Sequence, residues 1–317
     1  MAGGQERVLR RRIRSVQSTK KITRAMELIA ASRIVRARQA ITAARPYVEK
    51  MAEVVADLAD TPDASTHPMF RRPDSTARAA LVVITGDRGL AGAYNTSVLR
   101  AAERRAAEHR GRGAEVMLVT TGRKAESYFR FRNQPVAESV TGVSDRPGFD
   151  DARRVVAAVM EAFTAGEVDQ VDLVYTRFVS MGTQTVTTRQ LVPLEDRAEE
   201  GARGGEDDHH RVAYEYEPDP REILDQLLPR WLEAEVFAAL LEAAASEHAA
   251  RQRAMKAATD NADELTKTLS RVMNRARQDT ITSEIMEIVG GAEALRQSSD
   301  GGGTFNEIYV PPDAESA

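Results

Sequence analysis

The chain has 317 residues, of which 42% are hydrophobic, 29% are charged and 5% are aromatic. A prior of about 150 residues per domain allows roughly two domains, and the few aromatic side chains favour Ala-rich helices over a β-sandwich or a β-barrel. The net charge of -4 and the absence of cysteine exclude a uniformly basic nucleic-acid binder, disulfide bonds and cysteine metal sites.

The first predicted element is a helix over residues 1–60. Residues 5–38 carry eleven Lys or Arg against two Glu, a local net charge of +9. Apolar or small side chains recur at spacings that alternate between four and three, which is typical of a coiled-coil seam. These residues are Ala37, Ile41, Ala44, Val48, Met51, Val55 and Leu58. A similar stripe nearer the N-terminus is interrupted by Lys20, Thr23 and Arg33.

The middle of the chain, residues 77–195, predicts an α/β domain. Short apolar runs alternate with helical patterns, an order that favours a parallel sheet. The predicted strands cover residues 79–85, 115–120 and 171–179, and the predicted helices cover residues 94–110 and 149–165.

Two segments of the chain lack any periodic pattern. Residues 196–218 are expected to form an acidic loop, because residues 195–219 carry ten Asp or Glu against three Arg, a local net charge of -7. Residues 296–317 contain three consecutive glycines and no apolar period, so we expect a disordered tail.

The second long helix is predicted over residues 219–295. Asp219, Pro220 and Glu222 together form a start signal with a capping box. Two seams are expected along it: Leu265, Leu269, Val272 and Ala276, and then Ile281, Ile285, Ile288, Ala292 and Leu295. Two long helices, each with a seam and far apart in sequence, indicate an antiparallel coiled coil that carries an inserted domain.

The turn from Thr85 to Gly92 is the main candidate for nucleotide chemistry. It leaves a strand and enters a helix, where doubly wound folds bind phosphates. Its glycine spacing differs from the dinucleotide fingerprint, no P-loop lysine follows, and Asp87 would repel a phosphate. The pattern therefore favours a tight structural turn. His209 and His210, side by side in the acidic loop, favour a solvated loop over a metal site.

The basic N-terminal helix leaves two interpretations open. It offers phosphate contacts without aromatic side chains for base stacking, so nucleic-acid binding and contact with acidic protein surfaces explain its charge equally well. A coiled-coil nucleic-acid-binding protein with an α/β domain is one hypothesis. An α/β enzyme that binds a nucleotide in the Gly86–Gly92 turn is another.

Motifs at both ends of the chain are more specific. Residues 281–294, ITSEIMEIVGGAEA, resemble the signature of the gamma subunit of F-type ATP synthases. Residues 12–33, which include KKITRAME, are similar to the N-terminal helix of that family. Shorter matches occur at Asp87–Leu90, Ser246–Arg251 and Met255–Asn261, and the similarity covers nearly all of residues 3–295.

The resemblance implies a long antiparallel coiled coil of the N- and C-terminal helices plus an inserted Rossmann-like α/β domain. It implies a non-catalytic central rotor subunit, which couples rotation of the membrane c-ring to conformational change in the catalytic beta subunits and regulates ATPase activity. The implied partners are the alpha and beta subunits, the epsilon subunit and the c-ring, with no nucleic acid and no cofactor. The implied location is the cytoplasmic face of the cell membrane, as a peripheral protein without a membrane span.

The resemblance also implies which residues contact those partners. Contacts with the alpha and beta head are expected at Met26, Arg33, Arg36, Arg277, Gln278 and Thr282. Contacts with the c-ring and epsilon are expected at Tyr214, Tyr216 and Glu217. Polar interruptions of the helices, Lys20 among them, are expected to face partners rather than the seam.

Overall fold

The computed structural model describes residues 2–59, 67–70, 76–194 and 220–300. Within these ranges the chain forms five α-helices, five β-strands and one short 3-10 helix (Pro68–Phe70). The helices are α1 (Ala2–Ala59), α2 (Tyr94–Gly111), α3 (Arg123–Phe131), α4 (Phe149–Thr164) and α5 (Pro220–Asp300). The strands are β1 (Arg78–Ile84), β2 (Glu115–Thr121), β3 (Val136–Val140), β4 (Gln170–Phe178) and β5 (Gln184–Val192).

The strands form one sheet in the order β3-β2-β1-β4-β5. Strands β1 to β4 are parallel, and β5 pairs antiparallel with β4. The predicted parallel sheet is therefore confirmed for four strands, whereas α3, β3 and the antiparallel β5 were not predicted. Only five residues separate β4 from β5, and so short a link joins antiparallel strands, because a parallel pair needs a crossover.

The chain divides into two compact units, residues 1–22 with residues 259–317, and residues 23–258. The second unit contains the sheet, whose two faces are both covered. Alternate residues of β1, such as Val82, pack in a cluster with Val155 of α4 and Leu232 of α5. The intervening residues pack in a second cluster that includes Val98 of α2 and Phe129 of α3. Each such side chain contributes about 1.5–3 kcal/mol to folding through its burial.

The seam of α1 is confirmed and is longer than predicted. Its least exposed positions alternate in steps of four and three from Leu9 to Leu58. The expected interruption at Lys20 and Thr23 is wrong, because both positions belong to this register. Thr23 is only 8% exposed, and Lys20 forms an ion pair with Asp263 of α5 instead of standing free for a partner.

The seam of α5 differs from the predicted one. Leu265 and Val272 are 42% and 46% exposed, so their assignment to the first seam is wrong. Leu269 and Ala276 of that seam are confirmed as less exposed positions. They belong to a register formed by Met255, Thr259, Ala262, Thr266, Leu269, Met273, Ala276 and Thr280. Thr266 and Met273 therefore take the places that were predicted for Leu265 and Val272.

The second predicted seam of α5 is also wrong as an internal contact. Every residue from Ile281 to Arg296 is exposed in the chain. The reason is geometric: α1 begins at Ala2, and its Gln5 already lies beside Ala276 and Ser283. Only residues 2–4 of the described helix precede Gln5, so α1 can cover less than about one further turn of α5.

Both terminal helices continue past an internal proline, Pro46 in α1 and Pro229 in α5. Pro220 opens α5 as predicted, and the helix extends to Asp300, beyond the predicted end at Leu295. Asp219, the acidic loop and residues 301–317 lie outside the described residues. None of the helices that the structure describes has the length and apolarity needed to cross a bilayer.

Candidate partner-binding surfaces

The C-terminal end of α5 presents an unusual number of exposed apolar side chains. We call this surface the apolar end of α5, formed by Ile281, Ile285, Met286, Ile288, Val289 and Leu295. Ile288 is 72% exposed and Leu295 is 73% exposed. Soluble proteins seldom leave a contiguous apolar surface in water unless it binds something, so this surface is a candidate binding site.

Three of the predicted contact residues lie directly before or within this surface. Arg277, Gln278 and Thr282 are all exposed on α5. The Thr282 hydroxyl donates to the carbonyl oxygen of Gln278 at 2.9 Å, which places these two side chains on one face of the helix. Arg277 has no ion pair within the described part of the chain, so its guanidinium is available to an acceptor elsewhere.

The predicted contact residues of α1 differ from one another in their surroundings. Arg36 is exposed and Met26 is partly buried. Arg33 lies 2.7 Å (Nη1 to Oδ1) from Asp145, in the loop that follows β3. Arg33 is thus held by its own chain, and its role as a partner contact stays a prediction. Tyr214, Tyr216 and Glu217 lie outside the described residues.

The Thr85–Gly92 turn is organised by Asp87. Its carboxylate accepts backbone N–H groups from Arg123 at 3.1 Å, Gly142 at 2.8 Å and Ser144 at 3.0 Å. Burial would raise the pKa of Asp87, but these backbone hydrogen bonds outweigh burial and hold the pKa below its usual value. Asp87 therefore fastens together the segments that follow β1, β2 and β3, as expected for a structural turn.

A buried ion pair of α5 contacts the same turn. Glu247 is fully buried, is ion-paired with Arg251, and lies so close to Gly86 that a Cβ there would be 2.7 Å from the Glu247 carboxyl carbon. Arg251 in turn donates to the carbonyl oxygen of Gly89 at 3.3 Å. Desolvation raises the pKa of Glu247, and the charge of Arg251 opposes that shift. This contact ties α5 to the carboxyl end of the sheet.

The sequence analysis did not anticipate this junction. A usable signal was present, because Glu247 and Arg251 are four apart and the other residues from Ala243 to Ala250 are small except for His248. The ion pair of Arg33 with Asp145 adds a link from α1, so α1 and α5 are both held against the turns at the carboxyl end of the sheet. These contacts form a rigid frame. The described residues include no cluster of side chains that could hold a metal ion.

Comparison with known proteins decides the family. The family model described as ATP synthase matches residues 5–295. The chain is 50% identical to the ATP synthase gamma chain of Parafrankia sp. strain EAN1pec over 297 residues, which is 92% of this chain and 98% of that protein. This chain belongs to the ATP synthase gamma chain family. The similarity to the gamma chain of Streptomyces avermitilis is 46% identity, over 94% of this chain and 99% of that protein.

Solved structures show the same fold. A chain from the Euglena gracilis mitochondrial ATP synthase, described as OSCP/F1/c-ring in rotational state 3, matches with a TM-score of 0.65 and 18% identity, over 97% of this chain and 100% of that chain. A chain from the central stalk/c-ring of the Tetrahymena thermophila enzyme matches with a TM-score of 0.56 and 24% identity, over 75% of this chain and 99% of that chain. The family membership confirms the resemblance seen in the motifs and does not favour a nucleic-acid-binding protein.

Proposed function

We propose that this chain is the non-catalytic central rotor subunit of a proton-translocating F-type ATP synthase. It couples rotation of the c-ring to conformational change in the catalytic beta subunits, and it regulates ATPase activity. Its partners are the alpha, beta and epsilon subunits and the c-ring, and it is peripheral to the cytoplasmic face of the cell membrane. The chain holds no cofactor and binds no nucleic acid in this role.

The single observation that carries the proposal is the apolar end of α5. The isoleucine and leucine side chains of this helix end are 44% to 73% exposed. Covering them by a partner would contribute about 25 cal/mol for each Å² of apolar surface removed from water. Arg277, Gln278 and Thr282 lie next to it and supply hydrogen-bonding groups for specific contacts. Members of the same family occur in assemblies described as F1 with a c-ring, which supports the same partners for this chain.

The junction at the carboxyl end of the sheet supports a mechanical role. Arg33 links α1 to Asp145, and Glu247 with Arg251 links α5 to the turn at Gly86–Gly89. Force applied to the α/β domain is therefore passed to the helices of the same unit through short, mostly buried contacts. A rotor needs this stiffness.

Rotation itself tests the proposal. The chain lacks cysteine, so Asp150→Cys on the exposed surface of α4 supplies a single attachment point for a bead. In a complex immobilised through its alpha or beta subunits, the bead should turn in one direction when ATP is added. A complex that hydrolyses ATP while the bead stays still would contradict the rotor assignment. The unlabelled complex with Asp150→Ser is the control for loss of activity by substitution alone.

A further inference from the structure

A strongly basic face lies on the outer side of α2 and α3. Residues 94–112 and 123–132, which form these two helices and the residue after each, carry nine Lys or Arg against three Glu, a local net charge of +6. Each glutamate already has an arginine partner in the same layer: Glu103 with Arg132, Glu108 with Arg105, and Glu126 with Arg130. The excess positive charge is therefore not neutralised by these helices.

The arginines without an ion pair lie toward the end of α2. Within the described residues, Arg104, Arg110 and Arg112 are exposed and form no ion pair. Arg110 donates to the Gln134 side chain at 3.4 Å, so the end of α2 lies beside the turn that follows α3. Because α2 and α3 are crossovers between parallel strands, their last turns meet at the amino end of the sheet. This edge is opposite to the carboxyl end, where α1 and α5 are held.

Phe131 lies at this edge and is the feature that points to a lipid surface. Its side chain is 84% exposed, the highest value among the large apolar side chains of the described residues. It stands between Arg130 and Arg132, whose side chains are both more than half exposed. An aromatic ring among exposed cations is typical of segments that bind a bilayer interface, where the ring enters the acyl boundary and the cations meet lipid phosphates.

We propose that this edge binds the anionic headgroups of a phospholipid bilayer. We call it the Phe131 surface, formed by Arg104, Arg110, Arg112, Arg130, Phe131 and Arg132. Anionic headgroups supply the negative charge, and the fluid acyl boundary receives the aromatic ring at any point. An acidic protein would need a pocket shaped for the ring, and a nucleic acid would need further aromatic side chains for its bases.

The inference rests on the proposed function in one respect, because a subunit that joins a c-ring has to reach the membrane before it assembles. The Phe131 surface brings the unassembled chain to an anionic bilayer by reversible binding. Exposed arginines and one aromatic ring bind weakly, and salt screens the attraction between the arginines and the lipid phosphates. Weak binding lets the chain leave the lipid when its partner subunits arrive.

Vesicle binding of the purified full chain tests the surface. The chain has no cysteine, so Ser127→Cys, which is exposed and one helical turn before Phe131, provides a single position for a fluorescent probe. Asp150→Cys on α4, on the other side of the sheet, provides the control position. In vesicles of phosphatidylcholine with phosphatidylglycerol, lipids that carry a nitroxide should quench the probe at position 127 and not the probe at position 150. Vesicles of phosphatidylcholine alone should quench neither.

Two variants distinguish this surface from the basic helix α1, which also attracts anionic vesicles. Arg110→Gln with Arg112→Gln should raise the lipid concentration for half-maximal quenching at position 127 by about tenfold or more, since each arginine near an anionic surface contributes about fivefold. Phe131→Ala should also raise it. Arg7→Gln with Arg11→Gln removes the same charge from exposed positions of α1 and should change that concentration far less. All these side chains are exposed, so each variant should unfold at the temperature of the native chain.

The proposal is overturned if the probe at position 127 is quenched no more than the probe at position 150, or if vesicles of phosphatidylcholine alone quench it equally. It is also overturned if the two variants of the Phe131 surface respond to lipid as the native chain does, or if the α1 variant loses as much. An acidic protein as the true partner would give the first of these results. None of them concerns rotation, which the bead experiment tests separately, so the two proposals can fail independently.

Discussion

Two regions of the same helix, α5, show opposite relations between sequence and burial. Residues 239–249 are almost entirely buried although they include Ser246, Glu247 and His248, whereas residues 281–296 are entirely exposed although they include several isoleucines. Hydropathy alone would not separate these two regions, because each mixes apolar side chains with charged ones. The difference indicates that the first region holds the chain together and that the second is available for other molecules.

Leu232→Ala tests the buried part of α5 and should have the largest effect on the stability of the chain. Leu232 is 2% exposed in the cluster below the sheet, so truncation should lower the free energy of unfolding by about 3 kcal/mol. Ile288→Ala, at 72% exposure, should change the isolated chain by less than about 0.5 kcal/mol. Urea unfolding of both variants measures the contrast, and equal losses would show that the exposed end also supports the fold.

Gly86→Ala should be the next largest effect. A Cβ at Gly86 would meet the buried carboxyl of Glu247 at 2.7 Å, and overpacking of this kind costs about 2 kcal/mol. Gly89→Ala is the matched control, because its nearest neighbour is Lys124 at 3.9 Å. Urea unfolding again gives the result. A Gly86 variant as stable as the control would mean that Glu247 can move aside without cost.

Changing Arg277, Gln278 and Thr282 together to Ala tests whether the exposed part of α5 contacts partners. The three side chains are exposed, so the isolated chain and the composition of the purified complex should stay normal. ATPase and ATP synthesis rates should fall about tenfold or more, because charge-assisted hydrogen bonds contribute about 1.5–3 kcal/mol each.

A triple change on the exposed face of α4, at Arg154, Glu161 and Thr164, is the control for the changes in α5. Normal rates in the α5 variant would remove those three residues from the coupling mechanism. The packing of the apolar end would then have to transmit the force.

His248 predicts a smaller, pH-dependent effect in the buried region. Burial lowers the pKa of His248, against the raising effect of the Asp145 carbonyl oxygen. Because the folded chain then binds fewer protons than the unfolded chain, stability should fall as the pH drops below the ordinary histidine range, about 6.5. Urea midpoints of the native chain and of His248→Gln, measured on both sides of that range, should converge at the lower pH. Parallel curves would assign the pH dependence to other groups.

Removal of residues after Leu295 should have the smallest effect. The tail sequence has no apolar period and three consecutive glycines, so it has little surface to bury. The truncated chain should assemble into a complex with normal composition and normal ATPase rate. Failure to assemble, observed by size exclusion, would give the tail a structural role.

The sequence predicted what depends on local periodicity and missed what depends on distant partners. The α1 seam from Ala37 to Leu58 follows a regular heptad and was predicted correctly. The first α5 seam was partly misplaced because Leu265 and Val272 are apolar, whereas the less exposed positions beside them are Thr266 and Met273. Strand β5, rich in threonine, gives only a weak apolar signal and is specified by its pairing with β4.

The functional residues also divide into those that the sequence motifs located and those that only the structure shows. Motifs of the gamma family located Arg277, Gln278 and Thr282, and the structure shows that they are exposed together. The pairing of Arg33 with Asp145 and the contact of Glu247 with Gly86 join residues more than 100 positions apart, which no local pattern reveals.

The closing of the sheet by α5 has a consequence for biosynthesis. One face of β1 and β4 is covered by residues such as Leu228, Leu232 and Leu240, which leave the ribosome after the whole sheet has been made. Until then, α5 does not cover Val82 and Leu173. The seam of α1 is synthesised first, so it is without α5 for the longest time. Segments that must wait for distant partners fold slowly and are prone to aggregate. A nascent chain arrested before residue 220 should therefore depend on chaperones far more than one released complete.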